Sequence, residues 1–331
     1  MIYKLLPTRV FRSYIGGKNL DILEGKNTPS LSRFPEDWIA SVTEAFNPNR
    51  NIPDEGLSKT VDGKILRNII LNNKETMIGK RTDMSLLFKL LDSSERLVIQ
   101  VHPTVAFAKK YFGSPYGKTE CWYILNDGGY VYIGFKEGIT KEKWKTFFEK
   151  QDIEGMLDSL HKFTVKKGDF IFVPGGVPHA IGDNCFLAEL QEPTDLMVIP
   201  ERVTPSGVVL PDQKLHGGLG FELMFDCFTY EGYNEEETRK RYFIKPPKIS
   251  ETQITLADNT ITDKFRFNSF HVKGSINIDC DSYGIALVIE GQGEVNGIPL
   301  CKGERVFIPE YERRLAVESE NITFLLCRPP L

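Results

Sequence analysis

The chain has 331 residues, 41% of them hydrophobic and 26% charged, enough to bury a sizeable core over one or two domains. Lysine and arginine together number 41, and aspartate and glutamate 45, a formal charge of -4; this excludes a general nucleic-acid or acidic-membrane binder, whose affinity rests on a basic surface. The six cysteines (Cys121, Cys185, Cys227, Cys280, Cys301, Cys327) show no CxxC spacing, no run of 18 apolar residues occurs, and residues 1–12 lack the apolar run and cleavage site of a signal peptide, so the expectation is a cytoplasmic protein with free thiols and no membrane span.

In chain order, the first thirty residues are short apolar pieces broken by glycine and proline. Leu66 to Leu71 is helix-like, and the apolar run Asp83 to Asp92 is too short for its periodicity to separate helix from strand. Leu97 to His102 reads as a strand, because β-branched residues cluster and Pro103 ends it. Val105 to Phe112 is expected to be a short helix. Cys121 to Leu125 and Tyr130 to Phe135 flank Asn126-Asp127-Gly128-Gly129, which reads as a hairpin turn. Thr140 is placed to cap a helix, and two amphipathic turns or helices fit up to Leu160. Strands are expected at Phe163, Phe170 to Val173 and Phe186 to Leu190. Pro200 to Leu219, rich in proline and glycine, reads as an ordered loop over a site, and Glu235 to Arg241 as a helical turn. Pro246-Pro247 is the best boundary; beyond it strands and tight turns alternate, as in a small all-β domain.

Four polar residues carry chemistry. Gln100 and His102 are two apart, so on an extended segment both point to one face and can meet one ion. Glu120 follows in Gly117-Lys118-Thr119-Glu120, and His179 ends Gly168-Asp-Phe-Ile-Phe-Val-Pro174-Gly-Gly176-Val-Pro-His179. Two imidazoles, a carboxylate and an amide oxygen suit a borderline ion such as zinc with a position left open. Taken singly, each has an ordinary reading: a hydrogen-bonded histidine, a polar strand residue, a solvated glutamate. His161, His216 and His271 lack such context and are expected to be structural.

The pattern Gly168-x5-Pro174-x-Gly176-x2-His179 resembles the second motif of the cupins, a double-stranded β-helix family. A second copy, Gly303-Glu-Arg-Val-Phe-Ile-Pro309, has Arg314 at the histidine position and so resembles a cupin without a metal ligand. Glu36-Asp37-Trp38-Ile39-Ala40-Ser41, Leu87 to Asp92, Leu97 to Pro103 with its Gln-x-His-Pro, Gly117 to Tyr123 and the His179 segment together resemble type I mannose-6-phosphate isomerases over most of the first 200 residues. The resemblance implies a mainly β fold: a cupin-like double-stranded β-helix barrel with helical segments (about 35–95 and 140–160) in a catalytic domain of residues 1–245, and a degenerate cupin-like β domain, residues 246–331.

It implies one zinc ion per chain on Gln100, His102, Glu120 and His179, and reversible conversion of mannose 6-phosphate to fructose 6-phosphate through an enediol. Glu189 is the candidate proton carrier; Lys118 and Arg202 are the candidate cations for the enediolate or the phosphate. The partner implied is a small sugar phosphate, with neither nucleic acid nor membrane. Two positions depart from the family. Ile199 stands where ungapped alignment expects the arginine near the reaction centre, so Arg202 can serve only if the loop re-routes through Pro200. Val98 stands where relatives often carry a phosphate-binding serine. Another sugar substrate, a metal cupin of another reaction class such as a dioxygenase, and a non-catalytic sugar-binding relative remain open from sequence.

Overall fold

The computed structural model describes residues 1–47, 50 and 52–331. It is a mixed α/β molecule with two sheet-rich regions. The first region holds two sheets. A seven-stranded antiparallel sheet runs, in spatial order, Phe243–Ile244, Phe170–Val173, Glu120–Ile124, Cys185–Gln191, Leu87–Ser93, Glu36–Ile39, Arg9–Val10. A four-stranded sheet is built around Tyr130–Lys136, which pairs with Leu160–Thr164, His179–Ile181 and Gly232–Tyr233. The second region is a seven-stranded sheet whose long strands are Arg266–Asp279, Gly284–Val295 and Arg314–Arg328. Its edge strand, Tyr3–Leu5, comes from the other end of the chain and pairs with Arg305–Ile308.

The layering follows from which residues are apolar. Every residue of Leu87–Ser93 and of Cys185–Gln191 is buried, the signature of strands covered on both faces. One face packs on the four-stranded sheet through Leu91, Trp122, Leu187, Ile133 and Phe163. The other meets the C-terminal sheet through Phe88, Cys121, Leu190, Phe267, Leu287 and Phe307. Because successive side chains alternate, the strand Glu36–Ile39 sends Glu36 and Trp38 to the first face and Asp37 to the second, where it meets Arg305 in a buried ion pair across the two regions. Asp37 also accepts the Thr8 N–H at 2.6 Å. Arg305→Met leaves a buried carboxylate without its counter-ion. It is expected to lower stability by about 3–5 kcal/mol, read as a fall in the urea midpoint at unchanged m-value; a loss under about 1 kcal/mol would contradict the role given to the pair.

Several local expectations hold. Helices occur at Leu66–Asn72, Val105–Tyr111, Lys141–Lys150, Ile153–Asp158 and Glu235–Tyr242. Thr104, Thr140 and Asn234 cap theirs by accepting an N–H three residues on, as short side-chain oxygens do. The ambiguous run after Asp83 is a strand from Leu87. The loop from Pro200 holds a short helix, Asp212–His216.

Three expectations are corrected. Glu120–Ile124 and Tyr130–Lys136 do not pair; the turn between them carries the chain from one sheet to the facing sheet, because each strand has apolar residues to bury against the other sheet. Leu97 to His102 is extended but is not a ladder strand. It is held by isolated bridges, Gln100 to His179 and Val101 to Val198, since it passes between two partners. The expected barrel is not found as a closed ring of hydrogen-bonded strands among the described residues; two facing sheets stand in its place, the larger ending at Phe243–Ile244 and at Arg9–Val10. No helix among the described residues is long and apolar enough to cross a membrane.

Candidate metal centre and catalytic cavity

Strand register brings the polar groups into one row. Glu189 lies opposite Lys89 on one side and Trp122 on the other, and Lys89 lies opposite Trp38. Glu120, opposite Gln191, projects from the same face. His179 begins a strand of the facing sheet. Gln100 binds its backbone in both directions, at 2.9 Å each. Two glycines permit the closeness. A Cβ on Gly117 would lie 2.6 Å from the Pro103 carbonyl oxygen, so only glycine lets the Lys118 loop close onto the segment carrying His102. Gly176 has φ +91°, a left-handed conformation suited to glycine, and donates its N–H to the His102 carbonyl at 2.7 Å.

His102, Glu120 and His179 converge with their ligand atoms within 4.8 Å of one another, all three buried. His102 Nδ1 lies 2.9 Å from the Leu196 carbonyl and His179 Nδ1 lies 2.9 Å from that of Val177. A carbonyl only accepts, so each Nδ1 carries the proton and each Nε2 presents a lone pair, the arrangement that orients imidazole ligands. His179 Nε2 is buried and has no hydrogen-bond partner; it faces Glu120 Oε1 at 3.4 Å. Burial pushes the His179 imidazolium down to about 3, and burial with the neighbouring Lys118 lowers His102, so both rings are neutral. Burial alone would raise the Glu120 carboxyl, but the Lys118 ammonium holds it well below the usual range. An orphaned imidazole nitrogen, a second imidazole and an ionised carboxylate fit a borderline divalent ion; the chain has a single site of this kind among its described residues.

The site opens on a cavity whose lining includes Gln100, Lys118 and Glu189. Lys118 Nζ lies 2.6 Å from His102 Nε2, 2.7 Å from Glu120 Oε2 and 3.7 Å from Glu189 Oε1. Burial, and then the charge of Glu120, raises the Glu189 carboxyl well above the usual range, while Lys89 at 3.1 Å opposes the shift. A carboxyl placed between two ammonium groups and beside another carboxylate can change protonation state near neutrality, as an acid–base group must.

Arg202 is not brought to this cavity. Its guanidinium pairs with Asp212 at 2.9 Å and lies over Phe148 and Phe221, partly exposed. The loop does turn at Pro200, but it sends the neighbouring Glu201 inward, to chelate Arg96 at 2.6 and 2.8 Å and accept the Ile99 N–H. Arg314, at the histidine position of the second motif, is exposed and paired with Asp279. His161, His216 and His271 each serve a local hydrogen bond, to Tyr233 O, Gly218 N and Thr323 Oγ1.

Sequence reasoning missed the supporting shell. Glu36 accepts from Arg12 Nε, Tyr14 Oη and Trp38 Nε1 at 3.0, 2.9 and 2.8 Å. Glu192 accepts the N–H groups of Gly117 and Thr119 at 3.2 and 2.9 Å, fixing the loop that aims Lys118 and Glu120. Lys89 had a signal, a single charge inside the run Leu87-Phe88-Lys89-Leu90-Leu91. Arg12 and Glu192 had none.

Comparisons agree with this geometry. Residues 18–123 match the family model for the catalytic domain of type I phosphomannose isomerase. A mannose-6-phosphate isomerase of Streptococcus mutans is 38% identical over 193 residues, 57% of each chain; the match thus spans a little over half of that relative. The crystal structure of a Bacillus subtilis mannose 6-phosphate isomerase superposes with a TM-score of 0.78 at 22% identity, covering 98% of this chain and 99% of that one. A zinc-bound mannose 6-phosphate isomerase gives 0.78 at 17% identity, covering the whole of both chains. At those identities the structures speak for the fold; the sequence matches make the chain similar to type I phosphomannose isomerases over its N-terminal part, where two of the three residues of the buried histidine–glutamate–histidine cluster lie.

Proposed function

We propose that this protein interconverts mannose 6-phosphate and fructose 6-phosphate, with one zinc ion held by Gln100, His102, Glu120 and His179. The observation that carries the reading is the contact of the buried histidine–glutamate–histidine cluster with Lys118, which lines one cavity together with Glu189. When bound, the ion supplies Lewis-acid polarisation of the sugar carbonyl. The chain's own groups do the rest. Glu189, as carboxylate, takes the proton from C2 of the aldose, and as carboxylic acid returns it to C1 of the enediol. Its placement against Lys89 and Glu120 keeps the two forms close in energy. Lys118 donates a hydrogen bond to the oxygen on which negative charge develops, a role suited to an ammonium in a dry site. Glu192 and Glu201 position the two segments that carry these groups.

The chemistry belongs to residues 1–245, read as a cupin barrel made of the two facing sheets. Residues 246–331, completed by the strand Tyr3–Leu5, act as a β domain without metal ligands. The test is a coupled assay against mannose 6-phosphate, glucose 6-phosphate and free mannose, on protein stripped by a chelator and then reloaded with zinc. Turnover of mannose 6-phosphate should vanish on stripping and return with zinc. Undiminished activity in fully metal-free protein would overturn the reading, and oxygen consumption by the metal-loaded protein would favour an oxygenase.

A further inference from the structure

If the protein acts on a sugar phosphate, its phosphate needs cationic donors, and the cavity wall offers none at Val98 or Ile199. Those residues, with Met197, belong to an apolar cluster built on Leu210 and Leu215. Most other cations of the lining are already engaged. Arg96 is chelated by Glu201, Lys118 is held by Glu120, and Lys89 lies between Glu189 and Glu36.

Two donors are left over. Arg12 gives Nε to Glu36 and Nη2 to Asp195, at 3.0 and 3.2 Å, but its Nη1 is buried with no hydrogen-bond partner among the described residues, and an unmade bond of that kind is costly. Lys214, on the short helix of the loop after Pro200, also lines the cavity. Among the described residues no carboxylate lies within ion-pair distance of its ammonium; its one contact is the Phe46 carbonyl at 3.5 Å. The two cations are linked through one residue, Phe46. The Phe46 N–H binds Asp195 Oδ2 at 2.9 Å, Asp195 Oδ1 binds Arg12, and the Phe46 carbonyl binds Lys214. Burial, then the field of Arg12, lowers the Lys214 ammonium's pKa, as expected of a cation beside another cation that lacks a counter-ion. The nearby carboxylates do not forbid an anion. Asp195 and Glu36 already accept from Arg12, the Phe46 N–H, Tyr14 and Trp38.

We infer that Lys214 Nζ and Arg12 Nη1 together receive the phosphate group of the substrate, and that this pair sets the preference for phosphorylated over free sugar. The inference rests on the isomerase reading for its substrate, but its geometry does not. An anion there would complete the hydrogen bonding of Arg12 and neutralise Lys214 with charge-assisted bonds.

The test uses the full-length, zinc-loaded protein and three variants. Lys214→Met should raise KM for mannose 6-phosphate about 10- to 100-fold, with kcat changing far less. It should lower the ratio of kcat/KM for mannose 6-phosphate to that for mannose by the same factor. Lys214→Arg should restore most of the loss, which a purely structural role for the helix would not predict. Arg12→Lys keeps the charge beside Glu36 and Asp195 and should weaken phosphate in the same direction. Inorganic phosphate, titrated by calorimetry, should bind the wild-type protein and lose affinity in Lys214→Met. Unchanged KM and unchanged phosphate affinity in Lys214→Met, with the thermal midpoint intact, would overturn the inference while leaving the isomerase reading standing. If the wild-type protein turns over no sugar phosphate, the isomerase reading falls, and the calorimetric comparison decides the phosphate pair by itself.

Discussion

Replacing His179 with alanine should abolish binding of the divalent ion at stoichiometric levels and reduce kcat/KM for mannose 6-phosphate by about 10³-fold or more. His179 is fully buried, its Nδ1 is fixed by the Val177 carbonyl, and its Nε2 has no other partner. Alanine therefore removes a ligand that nothing nearby can replace. The loss of a buried ring also creates a cavity against Trp122, whose indole packs edge-on at 5.4 Å, so some destabilisation accompanies the metal loss. Elemental analysis separates the two effects: a variant that melts cooperatively without its ion has lost the site and kept the fold. A variant that retains one tightly bound ion and most of its activity would show that the cluster is not the metal centre.

Glu189→Gln is the second large effect. The amide keeps the size of the carboxyl and can still bond to Lys89, but it cannot accept the C2 proton. The expected fall in kcat is about 10²- to 10⁴-fold, with KM little changed and a full complement of zinc. Washout of tritium from C2 of the labelled sugar should slow in parallel, because it reports the same proton transfer. If the glutamine variant keeps more than about a tenth of the wild-type kcat, the proton travels by another residue, and Glu189 is only the counter-ion of Lys89.

The parts of the site legible in the sequence were those written as local patterns. Gln100 and His102 stand two apart, Glu120 sits after a glycine loop, and His179 ends a turn motif; the structure brings His102, Glu120 and His179 to one point. The helix cap at Thr140 was readable for the same reason, since a cap is decided within four residues. What depended on distant partners was not readable. The turn at Asn126 to Gly129 has hairpin composition, yet its strands join different sheets, because burying both apolar faces outweighs pairing with the nearest neighbour in sequence. Arg202 was favoured for its chemistry, and its neighbour Glu201 took the inward position. Arg12 lies far along the chain from Asp195, and no local pattern announces that pairing.

The strand Tyr3–Leu5 has a temporal consequence. It leaves the ribosome long before its partner, Arg305–Ile308. Until that partner emerges, the early strand has nothing to zip against, and the apolar back of the facing layer has no cover. Co-translational folding of this sheet thus waits on a strand made much later, and nascent chains stalled before residue 305 should be the species that chaperones hold longest.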